Sequence, residues 1–112
     1  MIRDKSSSHH YTWGGNCDCW VLHDTESFSV KQEIIPPGSR EKLHLHHHAS
    51  QFFYMLKGSA AFYLEDNKLN IGEGQGLTVS PGSKHFIANE SNVDMEFLVI
   101  TQPSGNDRED IE

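Results

Sequence analysis

The chain has 112 residues, 36% of them hydrophobic, enough for one domain with one core and too few for a second. Nine Lys and Arg stand against 16 Asp and Glu, a net charge of −7 with histidine neutral, which argues against the basic face that nucleic-acid binding needs. No run of 18 apolar residues is present, so no transmembrane helix is expected and no membrane partner.

Residues 1–27 read as an N-terminal arm. Its first ten residues lack the apolar stretch of a secretory signal. Cys17 and Cys19 stand two apart, too close for an ordinary disulfide within a strand, and read as reduced thiols. Together these features give an expectation of a cytoplasmic protein. Trp20-Val21-Leu22-His23 suits a short edge strand, and Trp13, Trp20 and His23 suit either a packed arm or dimer contact or the mouth of a pocket.

From residue 28 the chain is punctuated by Pro36-Pro37-Gly38, Gly58, Gly72, Gly74, Gly76, Pro81-Gly82 and Pro103. Short segments rich in Phe, Tyr, Val, Ile and Leu lie between them, and a sustained 3.6-residue period appears nowhere. That spacing predicts an all-β sandwich or barrel over residues 28–103. Strands are expected at Phe28–Ile34, Lys42–His46, Gln51–Leu56, Ala60–Leu64, Lys68–Ile71, Gly76–Val79, His85–Ala88 and Met95–Thr101, with a hairpin turn at Asp66-Asn67. Residues 104–112 carry Asp107, Glu109, Asp110 and Glu112 against the single Arg108, and read as an acidic flexible tail.

Histidine supplies the chemical signal. There are eight, and four fall between positions 44 and 48. His44 and His46 are two apart, so on a strand both side chains leave the same face, about 6–7 Å apart at Cα, and their ring nitrogens can converge on one metal ion. Core packing has no use for two histidines there. Gln51 opens the next strand and offers an amide oxygen as a further donor. His85, just after Pro81-Gly82, begins a strand that a barrel can bring beside the first pair.

The spacing Gly38-x5-His44-x-His46-x4-Gln51-x6-Gly58 resembles the first motif of the cupin family, with Gln where that motif usually has Glu. Gly74-x5-Ser80-Pro81-Gly82-x2-His85-x3-Asn89 resembles the second, with Ser80 where a proline usually stands. The resemblance runs from about residue 28 to residue 101. It implies an antiparallel jelly-roll β-barrel in which His44, His46 and His85 are imidazole ligands of one divalent metal ion and Gln51 takes the place of the carboxylate ligand. Iron, zinc, manganese, nickel and copper all suit that donor set. Replacing carboxylate by amide leaves the ion its full charge, which makes it a stronger Lewis acid, and the weaker amide donor holds hard ions less tightly. Cupins host many reactions, so the resemblance speaks more to fold and metal than to chemistry. Some cupins with such a site are dioxygenases and others act on sugar acids. The latter use an acidic residue on a late strand, where Phe97-Leu98-Val99-Ile100 is apolar here.

The expected activity is therefore metal-dependent, on a small organic molecule held inside the barrel, by oxygen-dependent cleavage or by an isomerase or lyase step. The other reading is a binding module without turnover. Tyr54, Tyr63 and His48 are candidate acid–base residues, with Glu33 beside them. Phe53, Met55 and Phe86 are expected to line an apolar pocket, with Tyr63 pointing in and Arg40 at the rim, either solvated or meeting an anionic substrate. Phe52, Tyr54 and Leu56 leave the opposite face of the same strand, and a solvent-facing surface of that kind suggests a homodimer.

Overall fold

The computed structural model describes all 112 residues. After a short 3-10 turn at Lys5–Ser7 come eleven strands: β1 His9–Trp13, β2 Cys17–Asp24, β3 Ser29–Ile35, β4 His44–His46, β5 Ser50–Lys57, β6 Ala60–Leu64, β7 Asn67–Ile71, β8 Gly76–Val79, β9 His85–Ala88, β10 Met95–Gln102 and β11 Arg108–Asp110. They form two antiparallel sheets. One has the order β1-β2-β3-β10-β5-β8 and the other β11-β4-β9-β6-β7. No helix is long and apolar enough to cross a membrane. The all-β jelly-roll architecture is the one the sequence predicts.

Alternation along each strand decides what faces inward. On β5, Gln51, Phe53 and Met55 are buried while Phe52, Tyr54 and Leu56 are 37–39% exposed. Registers carry this pattern across the large sheet: Phe53 lies opposite Val99 and Met55 opposite Phe97, while Val99 and Phe97 lie opposite Lys31 and Glu33 of β3. The core gathers Phe53, Phe62, Phe97, Met55, Ile87 and Met95, all nearly solvent-free. Phe53 meets Phe62 edge-on at 4.9 Å between centroids, a favourable geometry for two rings. No strand of the chain covers Phe52, Tyr54 and Leu56.

Gly58 needs its missing side chain. Its φ is +76°, and a Cβ there would sit 2.8 Å from the carbonyl oxygen of Asp94. That tight passage lets β6 leave β5 directly and return toward β9.

Three expectations need correction. The acidic segment after residue 103 is not merely a tail: Arg108, Glu109 and Asp110 pair with His46, Leu45 and His44 as a sheet-edge strand. Its polar, charged residues carry no alternation, so nothing local marks it as β. The strand expected at residues 20–23 runs from Cys17 to Asp24 and is internal, because His9–Trp13 pairs along its outer side. The β6–β7 turn is Glu65-Asp66, with Glu65 at φ +52°, so Asn67 begins the following strand. Leu64 pairs with Asn67, which leaves only a two-residue loop.

Candidate metal centre

β4 and β9 run side by side, with His44 directly opposite His85. His46 follows two residues on from His44, on the same face. The bend before β9 is fastened to β4, since the Gly82 N–H donates to the His46 carbonyl at 2.7 Å. The ligating atoms of His44, His46 and His85 all lie within 4.8 Å of one another. Two nitrogens bound to a tetrahedral zinc ion at the usual bond length are about 3.4 Å apart, so modest ring movements close the trio on one ion.

The hydrogen bonds behind the rings fix which nitrogen is free. His44 Nδ1 donates to the Lys42 carbonyl at 2.7 Å and His85 Nδ1 to the Ser83 carbonyl at 2.9 Å. His46 Nδ1 donates to Asp107 Oδ1 at 2.9 Å. Carbonyl and carboxylate oxygens only accept, so Nδ1 carries the proton in each ring and Nε2 keeps its lone pair. Burial pushes the His44 pKa down to about 3, against the pull of its bond to the Lys42 carbonyl, and burial lowers His85 as well. Both rings are neutral imidazoles at physiological pH, the form that ligates metal.

Gln51 joins them. Its Nε2 donates to Thr101 Oγ1 at 3.1 Å, which turns Oε1 to 3.1 Å from His85 Nε2. Two lone pairs then face each other without a proton between them. A cation satisfies that pair. Otherwise the amide has to flip, donating from Nε2 to the imidazole and accepting from Thr101. Three imidazole nitrogens and an amide oxygen suit a borderline divalent ion such as zinc, iron or nickel. The donor set therefore fits the metal that the sequence implies.

Asp107 is the residue that sequence reasoning missed. Besides His46 it accepts the N–H groups of His48 and Ala49, at 2.8 and 2.9 Å on Oδ2. Burial raises its pKa, but these hydrogen bonds outweigh that and hold it at about 2. Its only sequence signal was an acid in an acidic stretch sixty-one residues away from His46.

His44 and His46 open onto a cavity of about 820 Å³ between the sheets. Its character corrects the apolar pocket expected. Only 4 of the 21 lining residues are hydrophobic, and Lys31, Glu33, Arg40, Glu41, Lys42 and Arg108 all reach it. The reason is β3, whose inward set is Ser29, Lys31, Glu33 and Ile35 rather than the equally plausible Val30, Gln32 and Ile34. Phe53 lines the cavity as expected, and so do Trp13, Gln51 and Arg40. Arg40 also covers the Phe86 ring at 4.6 Å and pairs with Glu112 at 3.0 Å.

Other candidates fall elsewhere. Met55 is buried in the core below the cavity. Phe86 faces outward and stacks on Tyr63 at 4.4 Å. Tyr63 in turn bonds Glu90 on the outside of the barrel, so it does not point in. Tyr54 lies on the exposed face of β5, and His48 is exposed in the turn after β4. None of these three borders the cavity, so they are not its acid–base groups. Two carboxyls do line it: Glu33, already among the candidates, and Glu41. Glu33 Oε1 accepts from Trp13 Nε1 at 2.8 Å, and burial pushes its pKa up to about 7. Glu41 Oε1 accepts the Ile87 N–H at 3.2 Å, and burial together with the charge of Glu33 pushes it up to about 8.

The raised Glu33 pKa fixes the sign of a stability effect. The folded protein holds this proton more tightly than the unfolded chain, so Glu33 stabilises fully below pH ~4.5 and that contribution is lost as pH rises to about 7. Metal-free Glu33→Gln protein, whose amide oxygen can still accept from Trp13, is expected to lose less stability than wild type between pH 5 and 8. Urea midpoints across that range measure the difference, and parallel curves would show that Glu33 titrates normally.

Residues 31–101 match the Cupin domain family. The chain is a cupin. It is 30% identical over 87 residues to an uncharacterised protein of Methanocaldococcus jannaschii, covering 74% of this cupin and 70% of that protein. It is 33% identical over 80 residues to an oxalate-binding protein of Thermotoga maritima, covering 71% of this cupin and 65% of that protein. Against the alginate biosynthesis protein AlgA of Pseudomonas aeruginosa it is 28% identical along its whole length, yet spans only 25% of that longer protein. Among solved structures, the Streptomyces nucleoside dehydratase Pac13 superposes with a TM-score of 0.83 at 20% identity, covering 100% of this cupin and 91% of that chain, a likeness of fold. The matched segment 31–101 stops short of Asp107 and Arg108.

Proposed function

We propose that this cupin is a metal-dependent enzyme that moves a proton on a small polar organic molecule, as an isomerase or lyase does. One observation carries the reading. Three imidazoles and the Gln51 oxygen converge at the wall of a cavity that His44, His46 and Gln51 line together with Glu33 and Glu41, two carboxyls whose affinity for protons is matched to neutral pH. A divalent ion held by His44, His46, His85 and Gln51 would supply a Lewis acid for a carbonyl or hydroxyl oxygen of the substrate. Glu33, held by the Trp13 indole through one oxygen, keeps the other to take or return a proton. Trp13 and Phe53 supply flat apolar surface for the body of the molecule. The small-molecule names of the oxalate-binding and nucleoside-dehydratase relatives support a ligand of this size.

Deuterium exchange into a panel of 2-oxo acids and hydroxyaldehydes, followed by proton NMR in D2O, tests the proposal. Zinc- or manganese-loaded protein is expected to exchange C–H protons of at least one compound. Chelation is expected to abolish the exchange, and Glu33→Gln to slow it by about 10²-fold or more, in the range that general acid–base groups contribute. Tight ligand binding without exchange under any metal would favour a binding module.

A further inference from the structure

The cavity carries four cations, and three are accounted for. Arg40 pairs with Glu112, Arg108 Nε bonds Asp110 at 2.7 Å, and Lys42 is exposed to water. Lys31 is different. It leaves the inner face of β3, half-buried, and makes no salt bridge with any carboxylate. Its Nζ donates only to the Tyr11 hydroxyl, at 3.3 Å. Glu33 points the same way from two residues on, but the oxygen it commits goes to Trp13. Tyr11 is brought there by the β1–β2 hairpin, which places it opposite Cys19, itself opposite Glu33. Burial, together with the Cys19 sulfur beside it, raises the Tyr11 pKa, so its hydroxyl stays protonated, and a carboxylate is a far better acceptor for that proton than the sulfur. An ammonium and a phenol thus share one cavity wall, with Glu33 near enough for its charge to be felt but bonded to neither.

Their place relative to the histidines follows from the register. Gln51, Thr101 and Ser29 lie level across β5, β10 and β3, and Phe53, Val99 and Lys31 form the next inward-facing level. At the usual strand spacing and rise, the Cα atoms of Lys31 and Gln51 are about 12 Å apart. Side chains leaning in from both ends leave a span suited to a molecule of roughly three to five carbons.

We propose that Lys31 and Tyr11 form a carboxylate subsite, so that the substrate is a small carboxylic acid with a second oxygen function for the histidine cluster. The inference rests on the metal-dependent reading above and narrows it. Lys31 contributes the charge and one donor, and the Tyr11 O–H the second donor. A planar carboxylate can accept both at once. While Glu33 holds its proton, an uncharged substrate would leave the ammonium without a counter-ion in a half-dry cavity, which is costly. The subsite therefore selects against amides and alcohols of the same shape.

Calorimetric titration of zinc-loaded protein with succinate, and with succinamide as the uncharged isostere, tests this. Succinate is expected to bind at least tenfold more tightly than succinamide. Lys31→Met is expected to weaken succinate about tenfold and succinamide far less. Lys31→Arg is expected to keep most of the preference, and Tyr11→Phe to weaken succinate severalfold. Equal succinate affinity in wild type and Lys31→Met, or no succinate binding by wild type at millimolar concentration, overturns the subsite. The metal reading fails separately. If the protein takes up no zinc, succinate binding that still depends on Lys31 sustains the subsite without it.

Discussion

A His44→Ala variant, purified without a nickel column and offered one equivalent of zinc, is expected to retain almost none of it, while wild type retains close to one. His44 is the ligand least able to be replaced. It is 1% exposed, its ring is 4.3 Å from that of His85 between centroids, and its Nδ1 is locked to the chain carbonyl two residues before it. No neighbouring donor can swing into the gap, because His47 is engaged with Glu109 on the outer side and His48 is exposed. Thermal scans supply a second measure. An ion that binds only the folded chain, at a thousandfold excess over its dissociation constant, stabilises by about 4 kcal/mol, and a domain near this size gains about 4–8 °C per kcal/mol. Added zinc should therefore raise the wild-type melting temperature by roughly 15–30 °C and that of His44→Ala by a few degrees at most. Equal zinc content and equal shifts in the two proteins would remove His44 from the site.

How much of this centre was legible depended on which physical rule wrote each part. His44 and His46 sit on one strand whose two-residue alternation is a local property, so their common face could be read from spacing, whereas Gln51 meets them from β5 in the other sheet. His85 needed a contact across forty residues, which only the resemblance in spacing supplied. The polar cavity was not legible. Whether Val30, Gln32 and Ile34 or Lys31 and Glu33 face inward on β3 depends on pairing with β10, and in one dimension the set with Val30 and Ile34 looks the better suited to a core. Tyr54 and Tyr63 were attractive acid–base residues by type, yet the parity of their strands turns both outward. β1 was hidden for a related reason: His9-His10-Tyr11-Thr12-Trp13 is exposed on most of its length and mixes polar with aromatic residues. β11 was hidden because Arg-Glu-Asp becomes a strand only through the free edge that β4 offers.

That last strand is where the second large effect is expected. Asp107 stands one residue before β11 and ties three things together: the His46 ring, the turn at His48 and Ala49, and the end of the chain. The ring bond is the one that reaches the metal. A carboxylate behind an imidazole holds its orientation and makes its free nitrogen more basic, and losing such a partner typically lowers metal affinity by 10–100-fold. His46 depends on this more than the other two, because His44 and His85 bond to carbonyls within their own strands' approaches, whereas His46 relies on a side chain from the far end of the sequence. Asp107→Ala is therefore expected to bind zinc 10–100-fold more weakly than wild type in competition with a chromophoric chelator. Asp107→Asn should recover only part of the loss. Its amide oxygen can still accept from His46, but its NH2 would face the N–H groups of His48 and Ala49, donor against donor. Ending the chain after Gly105 should match Asp107→Ala in affinity, and should leave the β5, β9 and β10 amides as protected from hydrogen exchange as before, since β11 lies at a sheet edge. Zinc affinities within twofold of wild type in both the substituted and the shortened protein would mean that His46 holds its aim without help, and that the acidic segment only decorates the barrel.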